Sequence, residues 1–251
     1  MALARAAPGC DDPAMTPTVA NPLKVVVLSG AGISAESGLS TFRGAGGLWQ
    51  QHRFEDLASP EGFARDPQLV LDFYNQRRRD AWAAEPNAAH RALARLESTH
   101  EVVVVTQNVD ALHERAGSTR VLHVHGELAY ARGQREGDHR VRLDDRPIAL
   151  GDLCPRGSQL RPDVVWFGEN VRFLDEAREH VRAAAKVLVV GTSLSVWPVA
   201  GLVHEASDAA EKVLVALVKD RSREDRTSLR DPAPEPVPGL DARGQAEPRG
   251  A

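Results

Sequence analysis

Cysteine is scarce in this chain: Cys10 and Cys154 are the only two among 251 residues. Two thiols cannot form a disulfide framework, which fits a reducing compartment. Long apolar runs are missing as well. No stretch approaches the ~20 residues that a membrane-spanning helix requires, so a membrane is not an expected partner. The first twenty residues lack a Lys- or Arg-rich start followed by an apolar core, so no secretory signal is read and a cytoplasmic location is expected. An excess of positive charge is also lacking. Lysine and arginine number 31 against 35 aspartates and glutamates, a net charge of −4. That balance does not carry the basic footprint of a nucleic-acid binder.

What is present alternates between two patterns. Residues 24–28, 102–105, 121–124, 164–167, 187–190 and 213–218 are short β-branched apolar runs, the mark of buried strands. Between them, 33–38, 67–83, 87–97, 112–116, 174–184 and 200–210 read as helices. Leu69, Phe73 and Trp82 are the expected anchors of 67–83, and Ala88, Ala92, Leu93 and Leu96 recur at helical spacing in 87–97. Gly117 is placed to cap the helix before it. The alternation predicts a Rossmann-like, doubly wound parallel α/β sheet. Residues 42–62 read as a loop, 129–160 as an inserted lobe or long loop, and 1–20 and 221–251 as a disordered lead-in and tail.

The first strand runs into Gly30, Ala31, Gly32, Ile33, Ser34 and Ala35, a Gly-x-Gly-x-x-Ala turn. Gly30 would permit the tight turn, Gly32 the approach of a pyrophosphate, and Ala35 the close packing of the next helix. Such a turn is a weak signal alone. Here it continues through Glu36, Ser37, Gly38, Leu39, Ser40, Thr41, Phe42, Arg43 and Gly44, which a generic dinucleotide site does not need. Three more strand ends carry polar or glycine clusters: Thr106, Gln107, Asn108, Val109 and Asp110; then His123, Val124, His125, Gly126 and Glu127; then Gly191, Thr192, Ser193, Leu194 and Ser195. All four should converge on one edge of the sheet, where α/β folds bind ligands.

These motifs, together with Val164, Val165, Trp166, Phe167, Gly168 and Glu169, resemble the sirtuins, NAD-dependent protein-lysine deacylases. They occur in the family's order across residues 23–218. The resemblance implies a catalytic domain over 21–220, with small-lobe segments near 43–83 and 128–163. It implies that Gly30 to Ser34 and Glu36, with Gly191, Thr192 and Ser193, hold NAD. Thr41, Phe42, Arg43 and Trp49 would belong to the loop over the cofactor. Gln107 would contact the ribose, and Asn108 and Asp110 would line the nicotinamide pocket. His125 would be the general base, a task suited to an imidazole with a pKa near neutrality. Val164, Trp166, Phe167, Gly168 and Glu169 would pair with an extended acyl-lysine peptide.

On the helix at 67–83, Tyr74 and Arg77 share a face. In the class III subgroup such a Tyr-x-x-Arg pair reads the distal carboxylate of an acidic acyl group. The loop from Gly44 to Trp49 is similar to that subgroup too. Succinyl-, malonyl- or glutaryl-lysine are therefore the expected substrates, with acetyl-lysine accepted besides. Without the resemblance, Tyr74 and Arg77 read as a solvated face, since Arg77, Arg78 and Arg79 form a charge run. Trp49 and Trp166 read equally as core, and Asp110 equally as a helix N-cap. His123 is expected to be structural, and His90, His113 and His204 to be surface or packing residues.

The chain departs from the family in two places. Most sirtuins hold a structural zinc with two Cys-x-x-Cys pairs. Here 133–136 is GQRE, and 154–157 keeps only Cys154 of the four ligands. Asp138 and His139 do not restore the spacing. A structural zinc site is a closed four-ligand tetrahedron, so no zinc is expected. Beyond the last strand, the family's Asn-x-Glu-like turn is replaced by Val218, Lys219 and Asp220. These departures keep two other readings in view, a pseudoenzyme that only binds NAD or ADP-ribose and a protein ADP-ribosyltransferase.

Overall fold

The computed structural model describes residues 22–42, 47–48, 53–135 and 139–215. Arg43, Trp49, the lead-in over 1–20 and the tail over 221–251 lie outside the described residues. Eight strands occur among the described residues: β1 (Lys24–Ser29), β2 (Glu101–Thr106), β3 (Val121–His123), β4 (Gly126–Gly133), β5 (Arg140–Arg142), β6 (Leu160–Val164), β7 (Lys186–Val190) and β8 (Glu211–Val215). Six α-helices accompany them among the described residues: α1 (Phe54–Leu57), α2 (Pro60–Arg65), α3 (Pro67–Ala83), α4 (Ala88–Leu96), α5 (Leu112–Arg115) and α6 (Leu174–Arg182). Ala31–Ser37 and Val199–Glu205 are 3-10 helices rather than α-helices. No helix among the described residues is long and apolar enough to cross a membrane.

The β-branched runs build a five-stranded sheet in the order β3-β2-β1-β7-β8. Every pairing in it is parallel, as the alternation of elements predicts. Val26, Leu28, Val103 and Val105 pack with Ala177, Val181 and Leu202 on one face. Val25, Val27, Val102 and Val104 pack with Ile33 and Leu93 on the other. Burial on both faces is why these strands read as unbroken apolar runs. The register sets Ser29 beside Thr106 and Val190, and Thr106 beside His123. Four strand ends therefore lie in one row.

The remaining elements correct several expectations. The loop expected over 42–62 contains α1 and the start of α2. Ser59 caps α2 by accepting from the Gly62 N–H at 2.9 Å, and Pro60 takes the first helical position. Helix α3 has the expected span but not the expected anchors. Leu69 and Trp82 are 46% and 47% exposed, whereas Val70, Leu71, Tyr74, Asn75 and Arg78 are buried. Asn75 is inside because it exchanges two hydrogen bonds with the backbone of Ile148. Arg78 donates to the Leu128 carbonyl, and burial pushes its pKa down to about 10. In α4 the buried residues are His90 and Leu93, while Ala88 and Ala92 are exposed.

The stretch over 129–160 is not a plain loop. With the strands flanking it, it forms an antiparallel sheet in the order β5-β4-β6. The strand expected over 164–167 lies earlier, at Leu160–Val164. Its polar residues are buried because they are paired. Asp163 accepts from Arg140 at 2.6 Å and Arg172 at 2.9 Å, with Arg132 3.8 Å away. Glu169 accepts from Arg161 at 2.6 Å, from Arg132 at 2.8 Å and from the Trp166 N–H at 2.8 Å. Buried charges persist only when paired in this way.

Candidate active site

At the end of β1 the chain turns against the end of β7. Gly32 donates its N–H to the Gly191 carbonyl at 2.7 Å, and Gly30 donates to Val190 at 3.2 Å. A Cβ on Gly30 would stand 2.7 Å from the Thr192 Cβ, and one on Gly32 would stand 2.7 Å from the Gly191 oxygen. The glycines are therefore needed first for the contact between two strand-end turns. Gly30 itself has extended backbone, at φ −141°, rather than a left-handed turn. Gly191 has φ +61°, and a Cβ there would sit 2.1 Å from the Ile33 nitrogen. Ala31, Gly32, Ile33, Glu36, Gly191, Thr192 and Ser193 line one cleft of 2120 Å³.

The loop after β2 builds the floor. Asn108 donates through Nδ2 to Ser34 Oγ at 3.0 Å, and Ser34 donates to Asp110 Oδ2 at 3.1 Å. Asp110 Oδ1 accepts the Leu112 N–H at 3.1 Å, although the N-cap position of α5 is Ala111 rather than the expected Asp110. Thr41, Phe42, Gln107, Asn108 and His125 join the cleft wall. Burial pushes the His125 pKa down to about 4, partly offset by the backbone of Gln107. The ring is thereby neutral near pH 7, with one nitrogen able to accept a proton.

The opposite wall carries Tyr74, Val164, Trp166, Phe167, Gly168 and Glu169. Val165 donates its N–H to the His125 carbonyl at 2.9 Å, so this segment is fastened directly to the histidine. The Glu169 carboxylate turns inward to Arg161, Arg132 and Trp166. Phe54, Phe173 and Trp197 also line the cleft and escaped the sequence reading. Phe54 sits in the stretch read as a loop, where Ser59 and Pro60 were the legible sign of helix.

Arg77 lies beside a smaller cavity of 80 Å³ together with Ser34, Phe42, Asn108 and Asp110. Its guanidinium stands 4.6 Å from the Phe42 ring centroid. Its Nε is buried and has no hydrogen-bond partner among the described residues. Burial lowers its pKa, with Tyr74 and Asp110 opposing the shift. Tyr74 and Arg78 are buried and Arg77 is half-buried, so only Arg79 of the charge run on α3 is exposed. The residues around Cys154 do not fit a structural zinc. The thiol is buried with Sγ 3.3 Å from Ser158 Oγ, and no group of three or more His, Cys, Asp or Glu able to hold a metal occurs among the described residues.

The chain matches the Sir2 family over residues 30–198. It is 52% identical over 186 residues to an NAD-dependent protein deacylase of Helicobacter pylori strain J99, covering 74% of this chain and 79% of that one. It is 47% identical over 196 residues to an NAD-dependent protein deacylase of Bacteroides thetaiotaomicron, covering 76% and 84%. A mutant Sir2 homologue solved with ADP-ribose superposes with a TM-score of 0.73 at 40% identity, over 78% of this chain and 81% of that one. A Sir2 structure with a deacetylated p53 peptide and 3′-O-acetyl ADP-ribose superposes with a TM-score of 0.67 at 31% identity, over 78% and 82%. The chain belongs to the Sir2 family.

Proposed function

We propose that this protein is an NAD-dependent protein-lysine deacylase that accepts succinyl- and malonyl-lysine as well as acetyl-lysine, acting in the cytoplasm. The observation that carries the reading is the placement of His125. It lines the same cleft as the glycine turns of β1 and β7 and the Val164 to Glu169 segment, and its carbonyl accepts the Val165 N–H at 2.9 Å.

The residues fit a dinucleotide. The turns at Ala31 to Ile33 and at Gly191 to Ser193 line one wall of the cleft at the carboxyl ends of parallel strands, where α/β folds bind dinucleotides. The cleft of 2120 Å³ exceeds the ~300–1,000 Å³ of a small-ligand pocket, leaving room for a cofactor and a peptide together. In this reading Glu36, Thr41 and Phe42, with Arg43 and Trp49, flank the cofactor. Gln107 meets its ribose, and Asn108 and Asp110 meet its nicotinamide. When bound, NAD supplies the ADP-ribosyl acceptor for the acyl group, with nicotinamide as leaving group.

His125 takes a ribose hydroxyl proton onto its unprotonated ring nitrogen, the step that commits the acyl group to transfer. General-base assistance of this kind contributes about 10²–10⁴-fold. The substrate peptide lies along Val164 to Gly168, and its acyl-lysine enters between Phe167 and His125. Arg77 and Tyr74 receive the distal carboxylate of an acidic acyl group. The unpartnered Arg77 Nε supports this assignment.

The test is one peptide sequence prepared with acetyl-lysine and with succinyl-lysine, incubated with NAD and followed by nicotinamide release and peptide mass. The reading requires loss of both acyl groups, succinyl the faster. Release of nicotinamide with the peptide mass unchanged would overturn it.

A further inference from the structure

Behind the Asn108 loop stands a histidine that the proposed chemistry leaves unused. His123 ends β3, and its side chain is 5% exposed. Nδ1 lies 3.0 Å from the Asn108 carbonyl oxygen, and Nε2 lies 2.7 Å from Glu114 Oε1 on α5. A carbonyl and a carboxylate have no proton to give. Both ring nitrogens therefore donate, and His123 is an imidazolium.

The surrounding charges agree with that state. Burial alone would lower the His123 pKa, but the Glu114 hydrogen bond and charge, with Glu127 on β4, lift it above the ordinary value. Burial alone would raise the Glu114 carboxyl, but His123 holds it below the ordinary range. His113 on α5 does not compete, because burial holds it neutral with a pKa pushed down to about 3.

What this cation grips is the nicotinamide loop. His123 fixes the carbonyl of Asn108, while the Asn108 side chain donates to Ser34 and Ser34 to Asp110. A continuous run of hydrogen bonds thus leads from Glu114 to Asp110. Without the imidazolium, the Asn108 peptide could rotate, and its side chain would leave Ser34.

We propose that His123, donating from both ring nitrogens and paired with Glu114, is a positioning residue that fixes the loop from Asn108 to Asp110 for the nicotinamide end of the cofactor. The proposal rests on the deacylase reading for the role of that loop.

The first test needs no variant. In the ¹⁵N-labelled full chain at neutral pH, the His123 ring should show two N–H protons; a single one would overturn the proposal. The second compares His123→Gln and Glu114→Gln with the wild type. Both should raise the KM for NAD and the nicotinamide concentration that inhibits by about tenfold. The KM for the peptide and the affinity for ADP-ribose, which lacks nicotinamide, should stay near wild type. Variants that bind ADP-ribose normally and keep the wild-type response to NAD and nicotinamide would overturn the proposal. Lack of turnover in the wild type would instead sink the deacylase reading, while the two-proton test of His123 still stands.

Discussion

The indole N–H of Trp166 donates to the Tyr74 hydroxyl at 3.1 Å. The phenol thus accepts from the core, and its own proton is left to point elsewhere. Burial raises the Tyr74 pKa, against the opposing charge of Arg77, so the hydroxyl keeps that proton. One turn along α3, the half-buried Arg77 guanidinium supplies a cation. A donor and a cation at this spacing suit a carboxylate rather than a methyl group. Arg77→Met should therefore lower kcat/KM for a succinyl-lysine peptide by about 10–100-fold, the worth of a charged hydrogen bond, and change the acetyl-lysine peptide far less. Equal losses on both peptides would remove Arg77 from acyl selection.

Gly191 and Gly38 separate two uses of glycine. Gly191→Ala would drive a Cβ into the Ile33 backbone, at 2.1 Å. It should abolish ADP-ribose binding and lower the melting temperature sharply. Gly38 has φ +87° but nothing within 4 Å of a built Cβ. Gly38→Ala should cost only the left-handed backbone, about 1–2 kcal/mol, and leave ADP-ribose affinity intact. Calorimetric titration and thermal melts of the two variants check this.

Acid should weaken the fold in a defined window. Burial holds His113 and His125 neutral, with pKa values pushed down to about 3 and about 4. In the unfolded chain such rings protonate near ~6.5. Between that value and the lowered ones, the unfolded state binds more protons than the native state, so stability falls as pH drops. His123 has the opposite sign. Its raised pKa gives a stabilisation that is complete below ~6.5 and is lost only as pH climbs through the raised value. Urea unfolding between pH 7 and pH 4 should show a falling free energy, less steep in His113→Asn. A flat profile in the wild type would contradict the burial of these rings.

The rate should follow the same histidine. The pH dependence of kcat/KM reports the free enzyme. Its acid limb should lie well below that of an ordinary imidazole, toward the lowered His125 value of about 4. A midpoint at or above ~6.5 would show that His125 is not the base being titrated.

Metal should be dispensable. Cys154 Sγ lies 3.3 Å from Ser158 Oγ, and the small sheet is tied by Asp163 and Glu169 to their arginines. Elemental analysis should find no stoichiometric zinc, and a chelator should leave activity and melting temperature unchanged. By contrast, Asp163→Asn should lower the melting temperature and raise the peptide KM, because Asp163 adjoins the segment fastened to His125. Zinc at one equivalent per chain would contradict this account.

What was legible in the sequence was whatever depends on apolar pattern and backbone demand. The valine runs of β1 and β2 announced strands buried on both faces, and the glycines at 30, 32 and 191 marked the site edge. What stayed hidden was polar burial. Arg161 and Asp163 moved the expected strand past β6 to 164–167, because a strand whose polar residues are paired with distant arginines has no apolar alternation. Asn75 and Arg78 misdirected the anchors of α3 for the same reason, since their partners at Ile148 and Leu128 lie far along the chain. His123 read as structural, but its two acceptors, 15 and 9 residues earlier in the chain, are set only by the fold.

The central claim is tested most directly by stoichiometry. Purified protein, NAD and a succinyl-lysine peptide are mixed, and released nicotinamide and deacylated peptide are counted for the wild type and for His125→Ala. The account predicts one nicotinamide per acyl group lost in the wild type, and loss of turnover in His125→Ala with ADP-ribose binding retained. Nicotinamide released without deacylation, or equal turnover by His125→Ala, would contradict it.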